Sequence, residues 1–391
     1  MGPEARKRIM HRLQWQNLAR IGRTPWWAVP WLLVVWFALF WAGAAQAQDN
    51  GGLGPLSIRN QFPVKLPYLA FTPTAPLTLR EGEFQARYQF AFTNAFINTQ
   101  SPETDAVEPE VITAPDVDAG LDHTHFPDQG YGVYIDLEFT RHLFRFDYGL
   151  TPSLEVGLEL AWITVDSGFF DPNINSVERV FAGVNPDRRY SRMNQFDFYI
   201  YHDNQPVLQT TREFSREFQD PVLNLKWNLT PGGALLPAIT GQFSYKHNYH
   251  TDPKGASAIV NSGGADYGTH VLVAKQVGNV VGHFQFGRSV LDVRDRPFSN
   301  EIRTRLFALE FRRGKYHSWL LQSVTQTSIF DRHITIGRIS DFSISRQTDV
   351  AVMGYKFRGE TYLFELGAIE DYNQQRNESD ISFYFEWGGA W

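Results

Sequence analysis

Hydrophobic and polar residues alternate along this chain with a period of two, in one segment after another. At the carboxyl end, "ISFYFEWGGAW" places Ile381, Phe383, Phe385 and Trp387 on one face of an extended chain. The segments "FQARYQFAF", "LEVGLELAW", "LNLKWNL" and "YLFELGA" repeat the arrangement. Because the side chains of a β-strand point alternately to its two faces, each segment is predicted to be a strand with one apolar face.

The alternation predicts twelve strands, joined by connections that are alternately short and long. The strands are expected at about 84–98, 130–150, 154–165, 219–229, 235–247, 266–276, 279–289, 303–313, 316–329, 345–358, 361–371 and 379–391. Short turns at one end, long loops at the other and an even strand number are typical of outer-membrane barrels, whereas a soluble sandwich has no reason to collect its long loops at one end.

The predicted fold is therefore all-β, with residues 84–391 forming a transmembrane antiparallel up-and-down β-barrel. About twelve strands are expected, or about fourteen if residues 194–211 form an extra hairpin. Since every backbone group in lipid must be paired within the protein, the strand near Phe84 must pair with the strand near Phe385.

The polar face of each strand predicts the lining of the lumen, because a barrel in lipid turns its apolar residues outward. Charges of both signs occur on that face, which lets them pair inside the barrel and predicts little ion selectivity. The expected lining residues are Arg87, Glu155, Glu159, Asn224, Lys226, Glu310, Arg312, Lys356, Glu365 and Glu386.

The terminal aromatic residues are similar to the signal that the barrel-assembly machinery reads on outer-membrane proteins. The expected signal residues are Phe383, Phe385, Trp387 and Trp391, with Trp391 in an aromatic girdle at the periplasmic side. The predicted partners are this machinery, outer-membrane lipid and lipopolysaccharide, and the barrel is predicted to be a monomer.

The first 47 residues are predicted to be a signal peptide. A basic stretch precedes the apolar run "WWAVPWLLVVWFALFWAGAA", and Ala45-Gln46-Ala47 resembles a cleavage site. An uncleaved membrane anchor is the alternative, because the run is about long enough to span a bilayer. Cleavage implies Sec export to the outer membrane of a Gram-negative bacterium, with both termini of the mature barrel in the periplasm.

Residues 48–83 are rich in Pro and Gly and show no strand periodicity. They are either a disordered periplasmic leader or a plug in the lumen, and their many apolar residues favour the plug. Inside the lumen, Arg59 is expected to find a carboxylate partner, while Asn60 and Gln61 satisfy backbone groups. Leu56, Ile58 and Phe62 are expected to rest on apolar lining positions such as Leu363 or Ile369.

Composition limits the classes of function. The chain has no Cys, which excludes disulfides and thiol chemistry, and its net charge of −6 argues against a nucleic-acid partner. The mean hydropathy of −0.32 is that of a soluble protein. A β-barrel escapes this average because its apolar residues are spread singly along the strands.

Candidate chemistry is sparse. The loop 99–129 carries eight acidic residues with His123 and His125, but it lacks the spacing of a calcium loop, so we predict no specific metal site. The loop 166–218 mixes Arg with Phe and is expected to close over the mouth, to bind lipopolysaccharide phosphates or to act as a shield. A lipid hydrolase would need His and Ser on one strand face, whereas Ser244 and His247 lie on opposite faces.

Three phrases carry a family resemblance. "GPLSIRNQFP", "YGLTPSLEVGLEL" and "NPDRRYSRMNQFDFYI" resemble a group of Gram-negative outer-membrane proteins classed as domain of unknown function 3187. The resemblance implies fold and location but no reaction, no catalytic residues and no cofactor. The predicted function is a channel or binding barrel for passive passage of a small solute, hydrophobic solutes included. The alternative is a non-transporting barrel that anchors or structures the envelope, and a hydrolase ranks below both.

Overall fold

The computed structural model describes residues 52–98, 131–166, 168, 196–203, 205–210, 213–294, 296–330, 347–371 and 381–391. The chain divides into two units, Met1–Ala47 and Gln48–Trp391, and all described residues belong to the second. Several of the predicted features lie outside the described residues: the signal peptide, His123 and His125, and most of the loop 166–218, called the aromatic loop below.

The described residues form fifteen strands, a single 3₁₀ turn at Pro63–Lys65 and a short helix, α1, at Ala256–Val260. The strands are β1 Phe84–Asn98, β2 Tyr131–Thr151, β3 Leu154–Asp166, β4 Asp197–His202, β5 Gln205–Thr210, β6 Phe214–Phe218, β7 Val222–Pro231, β8 Ala238–Lys246, β9 Asp266–Val277, β10 Val280–Val290, β11 Glu301–Arg313, β12 His317–Gln326, β13 Thr348–Arg358, β14 Tyr362–Asp371 and β15 Ile381–Ala390.

Twelve of the strands form a closed antiparallel ring. Each of β7 to β15 pairs with its neighbour in sequence, and β3 links β2 to β7. The ring closes between β1 and β15, where Tyr88 faces Trp387 and Phe92 faces Phe383. The predicted twelve-stranded barrel and the pairing of its first and last strands are therefore confirmed.

The extra hairpin considered within 194–211 exists, but it does not enter the ring. Its strands β4 and β5 pair with each other, and β4 pairs with Tyr131–Asp136 of β2, beyond the part of β2 that pairs with β3. The short strand β6 likewise pairs with the end of β3. These strands extend the wall at the end of the barrel where the long connections lie, so the ring has twelve strands and not fourteen.

The two faces of the wall differ in the way that the alternation predicted. On β15, Phe383, Phe385 and Trp387 are 43%, 41% and 59% exposed, whereas Tyr384 and Glu386 between them are buried. Exposed large apolar residues recur on the other ring strands. An apolar surface of this extent is unfavourable in water and is typical of a barrel in lipid. No helix in the described part of the chain is long and apolar enough to span a membrane.

Tight turns join the strands at the other end of the barrel, called the short-turn end below. Gly278 and Gly314 have φ values of 60° and 74°, a left-handed conformation that side chains disfavour. Both lie directly after a ring strand, β9 or β11. Glycine at these points therefore lets the chain reverse within two or three residues.

Candidate functional site in the barrel lumen

The stretch of residues 52–79, called the lumen segment below, runs up and down inside the barrel. Leu53 N donates to Glu310 Oε1 (2.9 Å) near a short turn. The side chain of Lys65 reaches Thr348 Oγ1 (3.0 Å), where a long connection ends. On the return, Leu79 N donates to Glu155 Oε2 (2.8 Å), close to the short turn between β2 and β3. The segment therefore enters and leaves the lumen at the same, short-turn end.

Local chemistry explains the reversal near Pro63. Phe62 N donates to the Asn60 side-chain oxygen (2.7 Å), and Lys65 N donates to Phe62 O (2.9 Å). Asn is suited to such side-chain turns, and Pro fixes the backbone for the first helical position. As expected from sequence, Gln61 also serves the backbone, since its Nε2 donates to Arg59 O (2.8 Å).

The lumen segment is buried at every position from 54 to 74. It forms no strand, so its backbone groups need partners from the wall. Polar side chains of the wall supply them: Gln322 Oε1 accepts from Leu56 N (3.1 Å), Lys356 Nζ donates to Pro55 O (2.6 Å) and Gln285 Nε2 donates to Thr74 O (2.6 Å). These contacts explain how a non-periodic chain is held in a closed interior.

The ten residues predicted to line the lumen all lie on the inward parity of their strands. Eight are buried, while Arg87 and Arg312 are half-buried. Charges of opposite sign meet there: Lys226 pairs with Glu155 (3.0 Å) and Lys356 pairs with Glu365 (2.7 Å). Pairing of this kind offsets the cost of removing the charges from water.

Three inward residues of β2 were missed by the sequence reading. Asp147 pairs with Arg87 (2.6 Å) and with Arg145 (3.0 Å), and Arg87 also reaches Glu386 (3.3 Å). Arg141, the third, contacts Gln219. The signal was present in "RHLFRFDYG", where Arg141, Arg145 and Asp147 alternate with aromatic residues.

The expected carboxylate partner of Arg59 is not found. Its Nη2 donates instead to Leu66 O (3.0 Å), and among the described residues Arg59 forms no ion pair. Glu155 and Glu365, two of the carboxylates considered for it, are already paired with Lys226 and Lys356. Glu159, the third carboxylate considered, attracts Arg59 but forms no hydrogen bond with it, so the guanidinium group donates to a backbone oxygen.

Apolar residues of the lumen segment divide between two clusters. Leu56 and Ile58 belong to the wall cluster, which includes Ile369, as the sequence suggested. Leu363 is not among its members. The wall cluster comprises Leu56, Ile58, Ala91, Leu306, Ala308, Leu320, Val324, Val350, Val352, Ile369 and Tyr384.

Phe62 lies elsewhere, in a larger mouth cluster at the long-connection end. This cluster joins Phe62, Val64, Leu66 and Tyr68 of the lumen segment to buried apolar residues of the wall and of the connections. Phe196 and Phe198 of the aromatic loop are among its members. The described part of that loop therefore packs into the mouth of the barrel.

A small cavity of about 20 Å³ lies between the lumen segment and the wall, and Leu66, Tyr68 and Val260 of the mouth cluster contribute to its lining. Arg59 and Leu66 line it from one side, and Arg141 and Glu159 from the other. This volume is close to that of one water-sized particle.

The outer face carries the residues predicted as an assembly signal. Phe383, Phe385, Trp387 and Trp391 are all exposed, and Trp391 at 69% is the most exposed of the four. Their position fits a surface that another protein could read, while their role as a signal stays a prediction.

The described residues offer little for catalysis or metal binding. No group of three or more His, Asp or Glu side chains in them could hold a metal ion. Ser244 faces the lumen, where its Oγ donates to Asn224 Oδ1 (2.6 Å), while His247 is exposed on the opposite side. Ser244 and His247 therefore do not form the Ser–His pair that a hydrolase would need.

Comparison with known proteins shows similarity in overall shape only. No protein-family model matches the chain, and no curated protein matches it. The solved structures that it resembles include an outer membrane channel from Pseudomonas putida F1, at 9% identity over 82% of this chain and 100% of that chain, with a TM-score of 0.47. The P. putida toluene transporter TodX shares 9% identity over 80% of this chain and 89% of that chain (TM-score 0.34).

LpxR from Salmonella typhimurium is similar at 11% identity over 78% of this chain and 99% of that chain (TM-score 0.34). Similarity at this level does not establish a common function. The resemblance to domain of unknown function 3187 therefore stays a prediction from the sequence.

Proposed function

We propose that this protein is an outer-membrane channel for the passive passage of small hydrophobic solutes, with the lumen segment as its plug. The observation that carries the proposal is the wall cluster. Several of its apolar residues point into the lumen, among them Leu306, Leu320, Val350 and Ile369. The interior of a water-filled pore is polar, so these side chains would be unfavourable there. An apolar surface inside a barrel is suited to a solute that avoids water.

The two clusters suggest a route. The mouth cluster packs apolar side chains where the long connections end, and the separate wall cluster spans the strands from β11 to β15. Leu56 and Ile58 are the two members of the wall cluster that belong to the lumen segment, and they cover the members on the strands. Withdrawal or partial release of the segment would expose that surface to a solute.

The outer face supports a location in the outer membrane. Its exposed apolar side chains surround a closed ring, which is the spanning form that needs no unpaired backbone groups. If the long connections face the cell exterior, as is usual in such barrels, both ends of Gln48–Trp391 lie in the periplasm.

Lipopolysaccharide is the proposed lipid partner. Arg288 and Arg303 face each other across β10 and β11 on the outer wall and share Glu301, and Arg305 lies one step closer to the exposed Phe307. Like charges placed opposite each other repel. Phosphate groups at the upper edge of the apolar belt would neutralise this patch.

A non-transporting envelope barrel is the second candidate, and the complete burial of residues 54–74 favours it, because the lumen is filled. The experiment that separates the two compares planar-bilayer conductance and uptake of a hydrophobic solute for the mature protein and for a variant lacking residues 48–80. We expect the deletion to raise both quantities, because no ring strand is lost.

A tethered variant is the matched control. The chain has no Cys, so Ser57→Cys with Gln89→Cys introduces the only thiols. The two positions face each other in the lumen, where Gln89 Nε2 donates to Ser57 Oγ (3.3 Å). A short reagent with two thiosulfonate groups joins the two thiols through disulfides and releases sulfinate, so it should abolish uptake. Reductant cleaves these disulfides and should restore uptake. Equal conductance and uptake with and without residues 48–80 would refute the channel and leave the structural barrel.

A further inference from the structure

The cavity of about 20 Å³ beside the lumen segment is surrounded by charged groups that are not all matched. It is lined by Arg59 and Leu66 of the lumen segment, and by Arg141, Glu159, Gln219 and Lys246 of the barrel. One small particle, of the size of water or a halide ion, fits such a space.

Two buried guanidinium groups at this cavity are attracted by the same carboxylate, that of Glu159, which forms a hydrogen bond with neither of them. Arg59 is 6% exposed and Arg141 is 3% exposed. Arg59 donates from Nη2 to Leu66 O (3.0 Å), while its Nε is buried and has no hydrogen-bond partner. Arg141 donates from Nε to Gln219 Oε1 (2.8 Å). Among the described residues, neither forms an ion pair.

The two carboxylates that line the cavity, Glu159 and Asp220, are also engaged by other groups. Glu159 accepts hydrogen bonds from Asn224 (3.2 Å) and Thr72 (3.4 Å), and it lies 3.9 Å from Arg145. The third cation of the cavity, Lys246, pairs with Asp220 and Asp266. The cavity lining holds three cations, Arg59, Arg141 and Lys246, against the two carboxylates of Glu159 and Asp220. One positive charge is therefore in excess among buried side chains, which is costly unless a counter-charge is bound.

We propose that the cavity binds one small monovalent anion of halide size, which bridges Arg59 and Arg141. A halide ion only accepts hydrogen bonds and can accept them from several N–H groups at once. It therefore complements two guanidinium groups, which only donate and have N–H groups without an acceptor. A water molecule would fill the space but would not neutralise the charge.

The site joins the moving part to the fixed part, provided that the lumen segment is the plug proposed above. Arg59 belongs to the lumen segment and Arg141 to β2 of the ring. A bound anion therefore fastens the segment to the wall, and its loss loosens the segment. Anion concentration becomes a regulator of plug release by linkage.

Bromide provides a direct test. Crystals of the mature protein soaked in sodium bromide should show an anomalous peak in contact with both guanidinium groups. Arg141→Gln, which removes one charge and keeps a polar side chain, should abolish the peak. Arg313→Gln, at an exposed position beside a short turn, is the matched control and should keep it. A cavity that holds only water in the unsubstituted protein overturns the proposal.

Hydrogen exchange tests the fastening role. Exchange of residues 56–66 is compared in sodium chloride and in sodium gluconate, whose anion is too large for the cavity. At a chloride concentration about ten times Kd, exchange should be about tenfold slower in chloride, and Arg141→Gln should remove the difference. Equal rates in the two salts would overturn the fastening role even with bromide bound. The bromide position does not depend on conductance, so a failure of the channel proposal is recognised separately.

Discussion

Phe84 and Trp391 close the barrel by contacts of both backbone and side chain. Each backbone N–H donates to the carbonyl oxygen of the other residue, at 2.8 Å in both directions. Their rings stack on the outer face with centroids 6.2 Å apart. The last residue therefore completes the ladder between the first and last strands, and its aromatic ring covers the end of that seam.

Charged residues in the last strand are expected to impair assembly. A Lys on the lipid face costs about 2–4 kcal/mol at the bilayer midplane and less near the interface. The free-energy cost of lipid contact should therefore be larger for Phe385→Lys than for Trp391→Lys. Recognition by the assembly machinery should be weakened more by Trp391→Lys than by Phe385→Lys. The measurement is the fraction of heat-modifiable folded protein in outer-membrane preparations, and normal folding of both variants would contradict the prediction.

A methyl group at position 149 is expected to disturb the junction between the lumen segment and the barrel. A Cβ on Gly149 would collide with the carbonyl group of Arg80, which is backbone and cannot rotate away. Gly149→Ala should lower the free energy of unfolding by about 1–3 kcal/mol, the usual range for overpacking.

Urea unfolding in detergent measures this change. Gly241→Ala is the control, because nothing lies within 4 Å of the Cβ that it adds on β8. Equal unfolding midpoints for the two variants would contradict the close approach at Gly149.

Glu365 is expected to hold the plug in place. It pairs with Lys356 (2.7 Å) and accepts from Ser57 N (2.5 Å) and Tyr384 OH (2.8 Å). Glu365→Gln leaves the Lys356 charge without a partner, and breaking a buried pair in this way costs about 3–5 kcal/mol. We expect an earlier unfolding midpoint and more frequent conductance events, whereas Glu360→Gln in the exposed turn should change neither.

The arginine patch on the outer wall is expected to retain lipopolysaccharide. Arg303→Gln combined with Arg305→Gln removes two exposed charges and leaves Arg288 paired with Glu301 (2.6 Å). Phosphate analysis of the purified protein should show less bound lipopolysaccharide, with barrel stability unchanged. Undiminished phosphate would contradict the assignment of this surface.

The strands were predictable because one local rule governs them. The alternation located β10 at about 279–289 and β15 at about 379–391, against Val280–Val290 and Ile381–Ala390 in the structure. Lipid contacts one face of each strand and charged groups line the other. A register shift of one residue would therefore move every side chain of the strand to the wrong face. The inward parity of Glu155, Lys226 and Glu365 follows from the same rule.

The contacts across the lumen were not predictable in the same way. The reversal at Pro63–Lys65 and the placement of Phe62 in the mouth cluster depend on how a non-periodic chain folds in three dimensions. The partner of Arg59 depends on which lysines lie beside Glu155 and Glu365 on the neighbouring strands. That arrangement follows from the stagger of the strands and not from spacing in the sequence. Sequence parity gives the face of a residue but not its neighbour across the barrel.

The up-and-down course of the lumen segment has a topological consequence. Its ascending arm starts at the end where Glu310 holds Leu53, and its descending arm returns to the same end before β1 begins at Phe84. A loop that enters and leaves by one opening is not threaded through the ring. The segment can therefore leave the lumen through that opening without any chain terminus passing through the barrel. Its release requires only that its contacts with the wall break, and no ring strands need to separate.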